Sequence, residues 1–296
     1  AWAAWKVYQS TRDTAFLEAV YDPAARYLTW DLEHRALRDS TAADLLGWLI
    51  DDDPLCRCGE SGLDNSPRFD DGDISGAVDF SAEAALEAEC LAHIAHEIGR
   101  AEDAVRWRAH HARLSVAIEL LLWDDSRAIY RDLAADLADG FNPVETAVGF
   151  FPLAAGVPSP ERSRRLVATL TDPSRFWRPA PVPSTAADDP NYSDDMWRGP
   201  TWVNLNYLII EGLRRCGFPD VARDLSRRTL QAIMKGYLAE GVLFEFFDSE
   251  GARLSGDLHR KGGPGRREAS ALGVIRDYGW TAAVALRLLM EGERSA

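Results

Sequence analysis

Apolar side chains recur every three or four residues along most of the chain, the spacing of one face of an α-helix. The segment from Ser81, a predicted N-cap, to Gly99 shows this pattern clearly. Its apolar stripe contains Leu86, Cys90, Leu91, Ile94 and Ile98. A second helix is predicted to follow directly after Gly99. Its apolar positions are Trp107, Leu114, Ile118 and Leu121.

The same spacing predicts further helices towards the end of the chain. Pro200 and Pro219 stand where first-turn prolines belong, and Gly217 is predicted to end the helix between them. The last helix is predicted from Gly279 to about Glu291. Earlier helices are predicted over 1–11, 13–36, 144–155 and 160–170.

Strand signals are few, at 128–131 and 243–247, so the predicted fold class is all-α, built from helical hairpins of uneven length. Three connecting segments, 37–80, 172–196 and 248–278, are longer than a simple turn needs. Long ordered loops on a helical scaffold are common places for binding and catalytic residues. We therefore expect the functional residues in these loops.

Composition and charge narrow the function classes. The chain has 296 residues, of which 46% are hydrophobic and ten are Trp, enough for one large domain or two small ones. Its formal net charge of −14 argues against a nucleic-acid binder. No apolar run is long enough to span a membrane, and no signal peptide is visible. Four cysteines without zinc spacing predict free thiols in a reducing compartment, so we expect a cytoplasmic protein.

A first candidate for chemistry is Asp64, in the string Glu-Ser-Gly-Leu-Asp-Asn-Ser-Pro-Arg-Phe-Asp at 60–70. Small neighbours let backbone and ligand approach closely, Pro67 stiffens the turn, and Arg68 is predicted to pair with Asp70. By itself, however, the Asp-Asn-Ser-Pro string is typical of an ordinary Asx-turn.

A second candidate is Glu245, which lies within a run of three phenylalanines at 244–247. A carboxylate in such surroundings is costly unless it is paired or used in catalysis. The alternative is a short strand or turn from which this side chain simply reaches solvent.

A third segment, 196–207, brackets a Gly-Pro helix start with Trp197 and Trp202. Two indoles with Arg198 and Asn206 nearby could form an apolar platform edged by hydrogen-bond donors, which suits a sugar. The alternative is two core tryptophans that close one end of a helical barrel.

Taken in order, these segments resemble glycoside hydrolase family 63 and its mannosylglycerate/glucosylglycerate hydrolase-like branch. The matching strings are Glu-Ser-Gly-Leu-Asp-Asn-Ser-Pro-Arg-Phe at 60–69, Trp-Arg-Gly-Pro-Thr-Trp at 197–202, Phe-Glu-Phe-Phe-Asp at 244–248 and Tyr-Gly-Trp-Thr-Ala-Ala at 278–283. The trehalase signatures Pro-Gly-Gly-Arg-Phe and Gln-Trp-Asp do not occur, which demotes trehalose as a substrate.

The resemblance implies an (α/α)6 six-hairpin barrel, with Asp64 as general acid and Glu245 as general base. It also implies inversion of the anomeric configuration, for which the two carboxyl groups stand roughly 6.5–9.5 Å apart with water between them. The substrate contacts that we predict from these motifs are Gly62, Asn65, Trp197, Arg198, Gly199, Trp202, Asn206, Phe244 and Trp280.

Two departures from the family pattern concern the walls of the site. Gly59 and Met196 stand where the family often places an aromatic residue. The helices number nine or ten where the family fold has twelve. We therefore expect one catalytic domain over 1–296 that is incomplete at its N-terminal side.

Metal and phosphate sites receive less support from the sequence. His93 and His96 lack an evident third ligand, and 70–73 hints at calcium without the EF-hand pattern. The glycine-rich run 262–267 lacks the Lys-Ser/Thr of a phosphate-binding loop. We expect no cofactor, with calcium as a minor alternative, and interpret the glycine-rich run as a lid-like loop.

Two hypotheses remain. The leading one is an inverting glycosidase that acts on a small α-glycoside, such as an α-glucoside or a glucosyl- or mannosylglycerate. Its expected partner is this small carbohydrate, with no nucleic acid and no membrane. The alternative is a non-catalytic helical carbohydrate-binding or scaffold fragment of such an enzyme.

Overall fold

A computed structural model describes residues 1–37, 44–70, 74–134, 140–261 and 273–294. Within these ranges the chain forms nine α-helices: α1 (Trp2–Thr11), α2 (Thr14–His34), α3 (Val78–Glu97), α4 (Ala101–Leu121), α5 (Pro152–Ala155), α6 (Pro160–Leu170), α7 (Val203–Arg215), α8 (Pro219–Glu240) and α9 (Gly279–Arg294). The prediction of an all-α protein is confirmed.

The described strands are short and pair as two antiparallel ribbons. They are β1 (Ile74–Gly76), β2 (Trp123–Asp124), β3 (Ile129–Tyr130) and β4 (Leu133–Ala134). β1 pairs with β4, and β2 pairs with β3. The predicted strand at 243–247 is wrong as a continuous element. There, only single bridges form, from Phe244 to Arg276 and from Phe247 to Thr201.

The helices pack in an alternating arrangement. The odd-numbered helices contact one another in the order α1, α3, α5, α7 and α9, while α2 and α4 pack on α3 and α8 packs on α7 and α9. Helix α3 packs against α1, α2, α4 and α5. It buries residues on nearly all its faces, and small side chains let its neighbours approach closely. Those small buried residues are Ala82, Ala84, Ala85, Ala88, Ala92 and Ala95.

Local chemistry explains the hairpins. Gly99 has φ +77°, a conformation that glycine adopts at no steric cost, and it reverses the chain between α3 and α4. Gly217, with φ +86°, does the same between α7 and α8, and Pro219 occupies the first turn of α8 as predicted.

Two predicted helix starts are wrong. Helix α3 begins at Val78, so Ser81 lies inside the helix, where its hydroxyl accepts a hydrogen bond from the Leu46 backbone N–H at 3.1 Å. Helix α7 begins at Val203 with Trp202 as its N-cap residue, so Pro200 precedes the helix. The Ser184 N–H donates to the Pro200 carbonyl oxygen at 3.1 Å and Thr201 bridges to Phe247, so the backbone at Pro200 pairs with other segments before the helix begins.

The buried apolar side chains form one continuous core that runs from Tyr8 in α1 to Leu288 in α9. The expectation of one catalytic domain over 1–296 stays a prediction. None of the described helices combines the length and the apolar character needed to cross a membrane.

Candidate active site

The segment around Asp64 is shaped by two 3-10 turns, Gly59–Ser61 and Pro67–Phe69. Gly62 ends the first turn with φ +73°, where a side chain would strain the backbone. Asp64 follows between the two turns, and its carbonyl oxygen accepts a hydrogen bond from the Cys58 N–H at 3.2 Å. The backbone of Asp64 is therefore fixed while its side chain stays partly exposed.

Arg68 anchors this segment in the core. Its fully buried guanidinium pairs with Asp79 at the start of α3 and with Asp132, 3.0 Å away. Burial alone would lower the pKa of Arg68, but the charges of Asp132 and Asp79 raise it above its ordinary value. The predicted pair between Arg68 and Asp70 is wrong. The two carboxylates that pair with Arg68 belong to Asp79 and Asp132, and Asp70 pairs with Arg198.

Glu245 is 3% exposed and does not reach bulk solvent, so the solvent-directed alternative is wrong. Arg260 Nε lies 2.8 Å from Glu245 Oε2, and the backbone N–H of Ile275 donates to the same oxygen at 3.3 Å. The backbone N–H of Glu245 in turn donates to the Ile275 carbonyl oxygen at 3.0 Å. The carboxylate therefore has the charged and hydrogen-bonding partners that a buried acid needs.

Two consecutive residues connect the predicted acid and base. Arg260 pairs with Glu245, and its chain neighbour Lys261 pairs with Asp64. Burial raises the pKa of the Tyr278 phenol, and the negative charges of Glu245 and Asp64 raise it further. These contacts therefore link two carboxylates that lie 181 positions apart in sequence to adjacent positions of one loop.

The tryptophan segment packs against the segment of Asp64. The backbone N–H of Trp197 donates to Asn65 Oδ1 at 3.1 Å, and Arg198 Nη1 donates to the Asn65 carbonyl oxygen at 3.2 Å. Arg198 also pairs with Asp70 through both guanidinium nitrogens, at 3.1 and 2.6 Å. Asn65 and Arg198 therefore join two motifs, and their hydrogen bonds hold the backbone beside Asp64.

Four predicted sugar contacts lie in the packed interior of this structure. Trp202 stacks on Trp197 with ring centroids 3.5 Å apart and is 1% exposed, and its Nε1 donates to the Met196 carbonyl oxygen. A Cβ on Gly199 would lie 2.1 Å from the Ser193 carbonyl oxygen, so this glycine is required by space. The other two residues are Asn206 and Phe244.

Asn206 and Phe244 are fully buried. Asn206 Oδ1 accepts from the Val182 N–H, and its Nδ2 donates to the Pro181 carbonyl oxygen and to Thr229 Oγ1. With those bonds made, Asn206 has its partners within the protein. Protein atoms enclose the side chains of Trp202, Asn206 and Phe244, and Ser193 lies against the Gly199 backbone, while the role of these four residues as sugar contacts stays a prediction.

A pocket of about 310 Å³ lies beside the segment of Asp64. Three predicted residues line it: Gly62, Trp197 and Trp280, the last of which is 49% exposed at the start of α9. The other lining residues are Trp2, Ser61, Leu63, Glu83, Leu86, Glu87, Phe151, Asn204, Leu205 and Leu208. Asp64 and Glu245 are not among the lining residues, and Asp64 follows directly after three of them, Ser61, Gly62 and Leu63.

Sequence reasoning missed several residues of this region. Glu83 lies three residues before Leu86 and continues the apolar stripe of α3, so a carboxyl group on a buried helix face was a signal that could have found it. Asn204 lies in the first turn of α7. Arg260 and Lys261 belong to a loop without a periodic pattern, and only their contacts reveal them.

The minor expectations for metals have a simple outcome. No group of three or more His, Cys, Asp or Glu residues suited to a metal ion occurs in the part of the chain that the structure describes. Asp70 pairs with Arg198, whereas 71–73 lie outside the described residues, as does the glycine-rich run 262–267. The four cysteines are free thiols.

Comparison with known proteins identifies the family. Residues 1–281 match the model of the mannosylglycerate hydrolase MGH1-like glycoside hydrolase domain. The chain belongs to this family. The predicted resemblance to glycoside hydrolase family 63 and its mannosylglycerate hydrolase-like branch is thereby confirmed.

Individual members of the family and its relatives show how far the similarity extends. A mannosylglycerate hydrolase of Rubrobacter radiotolerans is 32% identical over 208 residues, 68% of this chain and 41% of that protein. A mannosyl-oligosaccharide glucosidase of Saccharomyces cerevisiae is 28% identical over 179 residues, 57% of this chain and 21% of that protein. The chain thus spans less than half the length of these two curated relatives.

A solved structure confirms the fold class. The family 63 mannosylglycerate hydrolase of Thermus thermophilus, in complex with Tris and D-glycerate, superposes with a TM-score of 0.71. The match covers 96% of this glycoside hydrolase domain and 74% of that chain, at 22% identity. The helical arrangement described above is therefore that of the six-hairpin glycosidase type.

Proposed function

We propose that this domain carries the catalytic site of an inverting glycoside hydrolase, with Asp64 as general acid and Glu245 as general base. The observation that carries the proposal is the pair of consecutive cations, Arg260 and Lys261, one on each carboxylate. Two acids from distant segments thus contact neighbouring positions of one loop, and Asp64 directly follows residues that line the pocket of Trp197 and Trp280. Such a pair can protonate a leaving oxygen on one side and activate a water on the other.

The two carboxylates have surroundings that suit different tasks. Glu245 is buried, and Arg260 and the Ile275 N–H fix its orientation, as a base that must stay ionised and aimed at a water requires. Asp64 is partly exposed, and its contact is the ammonium of Lys261. Proton donation by Asp64 requires that Lys261 move aside, so the substrate displaces this contact when the leaving oxygen approaches.

The proposed substrate is a small α-glycoside, such as an α-glucoside or a glucosyl- or mannosylglycerate. Support comes from the names of the relatives, which include a mannosylglycerate hydrolase and a mannosyl-oligosaccharide glucosidase. The pocket's volume of about 310 Å³ suits one small ligand or one sugar unit. A reducing, cytoplasmic setting without nucleic-acid partners stays part of the proposal, supported by four free thiols and a net charge of −14.

The principal test compares Asp64→Asn and Glu245→Gln on two kinds of substrate. Loss of a general acid or base slows the reaction by about 10²–10⁴-fold. We expect both variants to lose kcat on an α-glucoside with a poor leaving group. On 2,4-dinitrophenyl α-glucoside, whose aglycone leaves without a proton, Asp64→Asn regains most of its activity and Glu245→Gln does not.

Asp220→Asn is the matched control, since this aspartate is highly exposed at the start of α8, and it should leave kcat unchanged. Undiminished hydrolysis in both site variants would refute the assignment of Asp64 and Glu245. Inversion is tested separately by NMR of the first sugar released. Release of the α-anomer from an α-glycoside would contradict it.

One observation favours a second function, that of a non-catalytic carbohydrate-binding domain. An acid whose carboxylate contacts Lys261 is not ready to donate a proton. A folded wild-type chain that binds sugars but hydrolyses none of the proposed glycosides would support this alternative over the glycosidase.

A further inference from the structure

A second cavity, of about 210 Å³, lies between α8 and the loop 248–255. From the helix, Arg228 and Lys235 line it. They are two turns apart, which places them on one face of α8. From the loop, Arg253 and Ser255 line the opposite side. The described lining residues of this cavity and those of the pocket beside the proposed general acid have no member in common, so the two are separate sites.

The charge around this cavity is the reverse of that of the whole protein. The chain has 47 Asp and Glu residues against 33 Lys and Arg residues. Among the described residues that line the cavity, three are cations, Arg228, Lys235 and Arg253, and one is a carboxylate, Asp248. A concave surface lined mainly by one sign of charge attracts ligands of the opposite sign. The cavity therefore favours an anion.

The one carboxylate in this lining is occupied by the loop itself. Asp248 Oδ2 accepts hydrogen bonds from the backbone N–H groups of Ala252 and Arg253, at 2.9 and 2.8 Å. Arg253 Nη2 lies 3.8 Å from Asp248 Oδ1, which is beyond hydrogen-bond distance, and Arg253 Nη1 bonds to Asp194. Asp248 therefore fixes the loop and leaves one guanidinium nitrogen of Arg253 available.

The two cations of α8 also keep unused donors. Arg228 Nε donates to Asp224 Oδ2 at 2.9 Å, and its two Nη atoms form no hydrogen bond with the described residues. Lys235 Nζ donates to the Gly251 carbonyl oxygen, a neutral acceptor, and forms no ion pair within the described part of the chain. Since a guanidinium has five N–H donors and an ammonium has three, both side chains have donors left for a ligand.

A buried hydroxyl adds a further donor. Ser255 is 3% exposed and lines the cavity, and its hydroxyl forms no hydrogen bond with the described residues. Buried side-chain polar atoms in folded proteins nearly always have a partner. An unpartnered hydroxyl beside three cations with spare donors indicates that a ligand rich in acceptor oxygens supplies the missing partner.

A phosphate group has the charge and the acceptors that this set of donors requires. It has up to two negative charges and three or more terminal oxygens, so several separate cations can bind it at once. A carboxylate has one charge on two oxygens, which a single guanidinium already satisfies. The volume of about 210 Å³ lies below the roughly 300–1,000 Å³ of sites for drug-sized ligands, so the ligand is small.

We propose that the cavity between α8 and the loop 248–255 is a binding site for the phosphate group of a small molecule, either free phosphate or a phosphomonoester. Arg228, Lys235 and Arg253 supply the positive charge, and Ser255 supplies a hydroxyl donor. The proposal does not depend on the proposed glycosidase function, because the two sites have different lining residues.

Calorimetric titration at constant ionic strength tests the proposal with inorganic phosphate, glycerol 3-phosphate and acetate. We expect both phosphate compounds to bind at least about tenfold more tightly than acetate, because several charge-assisted hydrogen bonds form instead of one pair. Tighter binding of glycerol 3-phosphate than of inorganic phosphate identifies a phosphomonoester as the ligand. Equal affinity, or the reverse order, identifies free phosphate.

Variants assign the binding to this cavity. Arg228→Gln and Lys235→Met each remove one cation and should weaken phosphate binding about tenfold. Ser255→Ala removes a neutral donor and should weaken it about threefold. Arg223→Gln is the matched control, since this arginine lies on the same helix with a side chain that is 74% exposed and is not among the lining residues. It should bind phosphate as wild type does.

Phosphate affinity that is unchanged in both Arg228→Gln and Lys235→Met overturns the proposal. Phosphate binding no tighter than that of acetate overturns it as well. Should Arg228→Gln fail to fold, Lys235→Met decides alone, because its side chain is exposed and forms no ion pair with the described residues. Circular dichroism of each variant verifies the fold before titration.

Discussion

Two acids one turn apart on α3 have opposite surroundings. Asp79 is buried and fully partnered: it pairs with Arg68 and accepts hydrogen bonds from Trp48 Nε1 and from the Phe80 N–H, both at 2.9 Å. Glu83, four residues on, faces a pocket without a partner among the described residues. Two acidic residues on the same helix therefore differ in whether protein partners compensate the burial of their carboxyl groups.

The difference separates an acid that belongs to a closed network of protein partners from an acid that has no partner among the described residues. Asp79 completes a closed network, and removal of any member leaves another charge buried. Glu83 completes nothing within the described protein, and its removal eliminates an unfavourable burial. Stability measurements should therefore move in opposite directions at the two sites.

The largest expected effect is the loss of Arg68. Arg68→Met leaves Asp79 and Asp132 buried without their shared cation, which should lower the free energy of unfolding by about 3–5 kcal/mol. Urea denaturation followed by circular dichroism measures it. Arg106→Met, at an exposed arginine paired only within its own helix, should change stability by less than about 0.5 kcal/mol. A loss below about 1 kcal/mol for Arg68→Met would show that the network does not stabilise the fold.

An effect of intermediate size concerns the pH dependence that Glu83 produces. Its pKa is 4.5 when exposed and about 8 in the folded chain, so between these values the folded state holds a proton that the unfolded state has released. Stability is thus lost as pH rises from about 4.5 to about 8, by at most about 1.4 kcal/mol per pH unit. Glu83→Gln lacks this loss.

We therefore expect Glu83→Gln to match wild type near pH 4.5 and to exceed its free energy of unfolding by about 1 kcal/mol or more at pH 8. Denaturant titrations at several pH values measure the difference, and Glu18→Gln serves as a control at an exposed position. A difference that stays constant with pH would mean that Glu83 finds a partner in the folded chain.

The smallest stability effect is expected at Lys261, whose contact with Asp64 is partly open to solvent, with side chains 26% and 19% exposed. Lys261→Met should change the free energy of unfolding by less than about 1 kcal/mol. Its effect on activity is expected to be larger, because this side chain contacts the proposed general acid. Lys261→Met should change kcat/KM on an α-glucoside, while Arg106→Met leaves kcat/KM unchanged. An unchanged kcat/KM in Lys261→Met would separate Lys261 from the acid's chemistry.

Much of the fold follows from the sequence. The hydrophobic periodicity predicted the hairpins of α3 with α4 and of α7 with α8, together with the helix-end signals of Gly99 and Gly217 and the helix-start signal of Pro219. These signals act within a few residues of the chain. The predicted helix starts at Ser81 and Pro200 were wrong. The Ser81 hydroxyl accepts a hydrogen bond from a distant backbone N–H, and Trp202, which precedes α7, stacks on another indole. Local rules do not contain these partners.

The site divides in the same way. Motifs predicted that Asp64, Glu245 and Trp197 lie in functional segments, and the structure gathers those segments around one small region. The sequence did not distinguish Trp197, which lines the pocket, from Trp202, which lies behind it. That distinction depends on which face of a stack meets the cavity.

The sequence by itself therefore determined the helical fold class, the family and the segments that contain the two proposed catalytic carboxylates, because periodicity and ordered motifs are properties of the chain. Tertiary structure alone decided which charges are paired. Arg68 pairs with Asp79 and Asp132, and Arg260 and Lys261 pair with different carboxylates. Glu83 forms no ion pair with the described residues. Pairing depends on distance in space and on the exclusion of water, and neither quantity is written in the order of residues.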